Sequence, residues 1–441
     1  MREALLAIEK LTFGGAGLGR LDGQACFVPF TAPGDEARIR ITKAKRSYLE
    51  GEVLELLQPS TLRAPPPCPV FGSCGGCNWQ HLEYPAQIAA KGDIFADLLW
   101  RGGKVERGVI LPALAAPNPY GYRSRVQLKL RLAAGTLHMG FYRGGTHYVV
   151  AIPGKCAIAD PVINRLITEL RLLLREFPSA DRLPQIDIAV GDDGLAILIF
   201  HFIGDHPAEL HDFLVQRLSM LPSAAGIFLQ SGRKSTLTRV AGIEKLSYRV
   251  PSGFLPDLPE TVLSFSRGGF SQVNYRQNLA LLSTVAAWLA PSGTERLLDI
   301  YCGNGNFSLP LARYVSSVVG IEEYEPSIDD ARWNALANGI DNALFRCQAA
   351  MAGIQALVAA GESFDLVLLD PPRSGAADII AHLHALSPRA IAYVSCDPAT
   401  LARDIGLLRA HGYTVTKSRP IDMFPQTYHI ESVTLFEPCT K

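Results

Sequence analysis

The chain has 441 residues, 42 Lys and Arg balanced by 42 Asp and Glu, and 48% hydrophobic residues, which excludes a disordered or fibrous chain and exceeds one ordinary core. No apolar run is long enough to span a bilayer, and the start "MREALLAIEK" is unlike a signal peptide, so a cytoplasmic protein without membrane contact is expected. Nine cysteines are too sparse for a disulfide scaffold, which turns any cluster of them toward metal or catalytic roles.

Residues 1–58 read as short strands separated by the turns "FGGAGLGR", "LDGQ" and "TAPGD", the texture of a small β-barrel of a kind that often binds RNA. Within them "RIRITKAKR" (38–46) places five basic residues in nine. Three prolines in "RAPPPCPV" then break the chain, and "CPVFGSCGGCNWQH" follows with the spacing Cys68-x₅-Cys74-x₂-Cys77. A fourth ligand must be distant. On spacing alone a tetrahedral zinc site is favoured over iron–sulfur, with unligated thiols as the alternative, and a radical enzyme's three-cysteine run is not matched. Residues 85–103 are expected to be helical and to pack on the catalytic domain.

A β-rich region is expected over 59–262, interrupted by one helix at 207–220. In "YRSRVQLKLRL" (122–132) the basic residues Arg123, Arg125, Lys129 and Arg131 share one face of a strand and Val126, Leu128 and Leu130 the other. Such a face suits phosphates, although a solvated strand face with acidic neighbours would read the same. "IDIAVGDDGLAILIFHF" predicts a hairpin.

From about 290 the texture changes to strand, Gly turn and helix, the pattern of a doubly wound parallel sheet, and 263–441 is assigned to it. "LLDIYCGNGNFSLP" sets Gly303 and Gly305 between a strand and a helix, where a ligand can approach the backbone closely. A dinucleotide fingerprint would want glycine at Ser308, and the next strand ends in Glu322, where ribose hydroxyls would sit. The pair points to S-adenosylmethionine over NAD, while a turn that only closes a corner remains the structural alternative. "LLDPPRSG" puts Asp370 at a strand's carboxyl end beside a rigid Pro371-Pro372 loop.

In "AYVSCDPATLARDI", Cys396 precedes Asp397 and Pro398, a good N-cap and first-turn pair, so the helix dipole is expected to stabilise its thiolate. A methyltransferase has a use for such a thiol. Carbon 5 of a pyrimidine is a poor nucleophile until a thiolate adds to carbon 6, and a base must afterwards remove the carbon 5 proton. Glu431 in "FPQTYHIESVTLF" is the candidate base and His429 its rival. Cys302, Cys347 and Cys439 read as buried filler or surface thiols.

Together "CPVFGSCGGCNWQH", "GKCAIAD", "GGFSQVN", "LLDIYCGNGNF", "LLDPPRSG", "YVSCDPATLARD" and "FPQTYHIE" resemble the RNA uracil-5-methyltransferase family, specifically the 23S rRNA type with an N-terminal TRAM barrel and a 4Fe-4S cluster. The resemblance covers nearly the whole chain. It implies a Rossmann-like methyltransferase domain, a central β-rich domain and an OB-like TRAM barrel. It implies Cys396 as nucleophile, Glu431 as base, and Gln272, Tyr301, Gly303, Gly305, Asn306, Glu322 and Asp370 around S-adenosylmethionine. It also implies Cys68, Cys74, Cys77 and Cys156 as cluster ligands, 23S rRNA as substrate and a monomer. One departure falls at Ala349, where the family often has a polar contact to adenine; the adjacent Gln348 is the substitute. Three rivals stand beside this reading: a cytosine-5 enzyme, disfavoured by the absence of cysteine in "DPPRSG"; a tRNA uracil methyltransferase, which generally lacks cluster and barrel; and a ribosome-assembly factor with an inactive domain.

Overall fold

The computed structural model describes residues 2–232, 236–266 and 268–439. Strands Glu3–Ala7, Glu36–Ala44, Tyr48–Gln58, Gln24–Val28, Gly17–Leu21 and Lys10–Leu11 lie in that order in one sheet. Period-2 alternation points Ala37 and Ile39 into a core with Leu6, Cys26 and Val28. Arg38, Arg40 and Lys43 point outward onto Glu55, Glu52 and Glu50. The basic run is therefore largely charge-balanced by the neighbouring strand.

The central sheet has seven strands in the order Leu237–Gly242, Gly226–Ser231, Ala196–Phe202, Gln185–Val190, Arg125–Ala133, Thr136–Tyr142 and Val149–Ala151. Two helices cover it rather than one. Pro161–Leu174, absent from the sequence reading, turns Ile163, Leu166, Ile167, Leu170 and Leu173 into the core, with Asp160 accepting from the Val162 N–H at its start. Pro207–Gln216 stops short of 220 and gives way to a 3₁₀ turn, Leu218–Met220. The expected boundary at 262 cuts through a hairpin. Lys245–Val250 pairs with Thr261–Ser266, and its Leu246, Tyr248, Leu263 and Phe265 join the core of the carboxyl-terminal sheet.

That sheet runs Ala343–Cys347, Ser317–Glu322, Arg296–Ile300, Leu366–Leu369, Ala390–Ser395, Glu431–Pro438 and Tyr413–Ile421. Glu431–Pro438 alone runs opposite to the other six strands. The strand order reverses between Arg296–Ile300 and Leu366–Leu369, which opens a crevice at their carboxyl ends. The helix Tyr84–Gly103 reaches across from the cysteine-rich segment and packs on Pro398–Ala410, where a Cβ on Gly102 would stand 2.8 Å from Ala402 Cβ. No helix among the described residues is long and apolar enough to cross a membrane.

Candidate active site

A pocket of about 760 Å³ opens at this crevice, and Gln272, Tyr301, Gly303, Glu322, Gln348, Asp370, Cys396, His429 and Glu431 are among its walls. The first wall is the turn after Arg296–Ile300. Tyr301, Gly303 and Gly305 all have left-handed backbone, φ 69°, 55° and 89°. A side chain on Gly303 would project into open space, whereas one on Gly305 would strike Leu309 at 2.7 Å. Gly303 thus leaves a cradle at the ligand side, and Gly305 lets the following helix close on the turn. Glu322 ends the next strand and holds the Tyr324 N–H at 2.9 Å. Gln348 lies in the wall and Ala349 outside it, at the start of the helix Ala350–Ala359.

Gly305 and Asn306 do not reach the pocket wall. Asn306 exchanges hydrogen bonds with Asn278 at 2.7 and 2.9 Å and accepts from the Tyr248 hydroxyl at 2.9 Å. It ties the turn to the helix Tyr275–Leu289 and to the hairpin.

The opposite wall carries the reactive groups. Ser395 pairs with Ser432 across antiparallel strands, so the next residues outward, Cys396 and Glu431, meet at the strand ends. The chain distance of 35 positions between them is closed by that register alone. The Cys396 thiol is pushed up to about 12 by burial and by the carboxyls of Glu431 and Asp370, against a smaller pull from Arg373. This reverses the thiolate expected from the helix dipole. The first turn of Pro398–Ala410 is already used, because the Asp397 carboxylate accepts from the Ala399 and Thr400 N–H groups. Burial also raises Glu431 well above the usual carboxylate range, with Asp370 adding to it, and brings Asp370 up to about 7. His429 is pulled down to about 4 by burial and the cations Arg373, Lys91 and Arg123. Burial and the mutual repulsion of Cys396, Asp370 and Glu431 favour their protonated forms, and positive charge in the pocket would oppose that.

Sequence reading passed over Asp299, fully buried beneath the turn, with one carboxyl oxygen unpartnered and the other accepting from Ser308. Burial raises it to about 7. A carboxylate inside the apolar run "RLLDI" was the available signal. Arg373, Phe424 and the 62% exposed Phe270 also line the pocket.

Cys68, Cys74, Cys77 and Cys156 line a second cavity, of about 350 Å³. Burial and mutual proximity raise the thiols of Cys74, Cys156 and Cys77, the last to about 12. Among the described residues no three His, Cys, Asp or Glu side chains stand close enough to hold a single metal ion. His429 lines both cavities. Of the other cysteines, Cys302 is buried and Cys347 and Cys439 are exposed.

Residues 259–438 match the family described as tRNA (Uracil-5-)-methyltransferase, and residues 2–54 match the TRAM domain. An uncharacterized RNA methyltransferase of Thermosynechococcus vestitus is 37% identical, over 98% of this chain and 97% of its own. The 23S rRNA (uracil(1939)-C(5))-methyltransferase of Alkalilimnicola ehrlichii is 36% identical, over 98% of this chain and 96% of its own. The crystal structure of the Pyrococcus abyssi tRNA (uracil-54, C5)-methyltransferase, in complex with S-adenosyl-L-homocysteine, superposes with a TM-score of 0.74 at 25% identity, covering 98% of this chain and 99% of that one. Full-length similarity at this level, on a Rossmann-like sheet bearing a TRAM domain, makes the chain a member of the S-adenosylmethionine-dependent RNA uracil-5-methyltransferase family.

Proposed function

We propose that this protein methylates carbon 5 of a uridine in 23S rRNA, with Cys396 as nucleophile and Glu431 as base. The observation that carries the reading is the meeting of Cys396 and Glu431 at paired strand ends, inside the pocket that the Gly303 turn opens. S-adenosylmethionine, when bound, supplies an electrophilic methyl group on a sulfonium. Gln272, Tyr301, Gly303, Glu322, Gln348 and Asp370 would hold it. Positive charge in the pocket lowers the cost of ionising Cys396, whose thiolate adds to carbon 6 of the uracil. The electron pair gathered at carbon 5 takes the methyl group. Glu431 then removes the carbon 5 proton, the pair re-forms the ring double bond, and the Cys396 thiolate leaves. Its strand-end position opposite Cys396 favours Glu431 over His429 as base.

The four-cysteine cavity fits a 4Fe-4S cluster better than the single zinc ion that spacing favoured. A zinc ion draws its thiolates to about 2.3 Å and needs them together. The four thiols line one cavity of about 350 Å³, which leaves room for a cluster larger than a single ion. Iron would oppose the burial and crowding that raise Cys74, Cys77 and Cys156. Its role there would be to staple the segment 68–81 to the central sheet.

Support for RNA comes from charge distribution in a chain of zero net charge. Residues 107–159 hold seven Lys and Arg and no Asp or Glu. Arg125 lines the catalytic pocket, and Arg123, Lys129 and Tyr142 line the cysteine cavity. Lys129 lies over the Tyr142 ring at 5.2 Å, and Arg143 over the 58% exposed Tyr148 at 5.3 Å. Cations interleaved with aromatic faces suit an RNA strand whose target base is turned into the pocket. The barrel of 1–58 would grip the flanking backbone, and the protein would work as a cytoplasmic monomer.

The test offers unmodified 23S rRNA and tRNA transcripts to the purified protein with methyl-labelled S-adenosylmethionine. Label recovered as 5-methyluridine at one site of 23S rRNA is expected. Label confined to tRNA would replace the substrate, and label at another atom would overturn the mechanism.

A further inference from the structure

The segment 424–431 forms the partition between the two cavities. Phe424, His429 and Glu431 face the catalytic pocket, while Thr427 and His429 face the four cysteines. Its apex, Gln426, is buried and has a left-handed backbone, φ 69°, that a residue with a side chain rarely adopts. What keeps it there is the cysteine segment. The Asn78 and Trp79 N–H groups, immediately after Cys77, donate to the Gln426 carbonyl at 2.9 and 3.0 Å.

The second anchor is Gln87, in the first turn of the helix Tyr84–Gly103 and without solvent exposure. Its amide N–H₂ donates to the Trp79 and Leu82 carbonyls and to Gln426 Oε1, at 3.1, 3.0 and 3.0 Å. Its own oxygen accepts the Gln426 N–H at 3.1 Å. One side chain therefore joins the cysteine segment to the loop that delivers Glu431. The Tyr122 hydroxyl adds a further bond, to the Pro425 carbonyl at 2.9 Å.

We propose that Gln87 is a positioning residue for the reaction proposed above: through the Gln426 backbone it couples the filled four-cysteine site to the placement of Glu431, and so governs release of the covalent intermediate rather than its formation. The inference rests on the roles proposed above for Cys396 and Glu431. Addition of Cys396 and transfer of the methyl group come before Glu431 acts. Only proton removal from carbon 5, with re-formation of the carbon 5–carbon 6 double bond and departure of the thiolate, needs the carboxylate in place. A loosened partition leaves the early steps intact and lets the methylated adduct accumulate.

The experiment uses ordinary uridine in a 23S rRNA fragment, labelled methyl donor and a denaturing gel that separates protein-bound from released methylated RNA. Three preparations are compared: wild type, Gln87→Leu, and wild type whose cysteine site has been emptied by oxidation and chelation. The expected result is an adduct fraction about tenfold higher in the second and third, since a displaced base forfeits part of its usual 10²–10⁴-fold contribution. KM for RNA and the affinity for S-adenosylmethionine should stay at the wild-type values. Slower turnover with an unchanged adduct fraction would overturn the proposal and leave Gln87 a packing residue. Unfolding of the whole chain on emptying would overturn it too, because the cysteines would then hold the fold and not the partition. Should Gln87→Leu fail to fold, the emptied wild type decides. Absence of methylated RNA from the wild type itself would instead sink the catalytic reading on which the inference stands.

Discussion

Asp299 and Glu431 show how single carboxyls in this protein carry opposite burdens. Asp299 has no visible partner for one oxygen and titrates near 7, so the folded state holds a proton that the unfolded chain releases near 4. Its contribution to stability is present below pH 4 and is lost as pH rises through 7. Asp299→Asn cannot lose that proton. Its unfolding free energy should therefore match wild type near pH 4 and exceed it by about 2–4 kcal/mol at pH 8, read by denaturant titration at both values. Asp370, raised in the same direction, leaves a residual slope in the variant. Glu431 is the group whose ionised form the reaction needs. Glu431→Gln should lower product release by about 100- to 10,000-fold while methylated adduct builds up, and in the wild type single-turnover rates of release should rise with pH at values above the usual carboxylate range.

At the scale of elements, the buried ion pair between Lys91 and Asp422 ties the helix Tyr84–Gly103 to the base-bearing loop. Lys91 Nζ lies 2.5 Å from Asp422, whose other oxygen accepts from the Tyr84 hydroxyl at 2.8 Å. Lys91→Met leaves a carboxylate buried without its cation and should cost about 3–5 kcal/mol, measurable as a lowered urea midpoint; Asp422→Asn added to it should recover part of that loss. The helix itself was legible in sequence, as were the strand–turn–helix units, because long periodic runs announce themselves. The helix Pro161–Leu174 was equally written, with Asp-Pro at its start and apolar residues at helical spacing, and went unread inside a stretch taken for strands. The hairpin Lys245–Val250 with Thr261–Ser266 could not be allotted from sequence, since membership of a core is decided by packing across domains. The partners of Asn306 were hidden for a related reason. A G-x-G-N run shows where a turn is, but not that the Asn306 side chain bonds Asn278 across to the next helix. The direction of the Cys396 shift was hidden likewise, since it depends on two carboxyls that approach only through strand pairing.

Across the whole molecule, three parts converge on one loop. The barrel contributes Gly15, whose carbonyl accepts from the Trp79 indole at 3.0 Å and whose Cβ position stands 3.1 Å from the Tyr428 ring. The cysteine segment contributes Asn78 and Trp79, and the carboxyl-terminal sheet contributes Glu431 itself. RNA would meet this assembly along the acid-free stretch 107–159. Arg143→Ala with Tyr148→Ala should weaken binding of a 23S rRNA fragment by about 5- to 50-fold and flatten its salt dependence, with the affinity for S-adenosylmethionine unchanged. The most direct measurement of the central claim uses that fragment with 5-fluorouridine at the target position, incubated with protein and S-adenosylmethionine. Fluorine on carbon 5 cannot be removed as a proton, so a denaturation-resistant RNA–protein adduct should form, carry the methyl group, and map by peptide mass to Cys396. Failure to form it with cofactor bound, or its persistence in Cys396→Ala, would contradict the account.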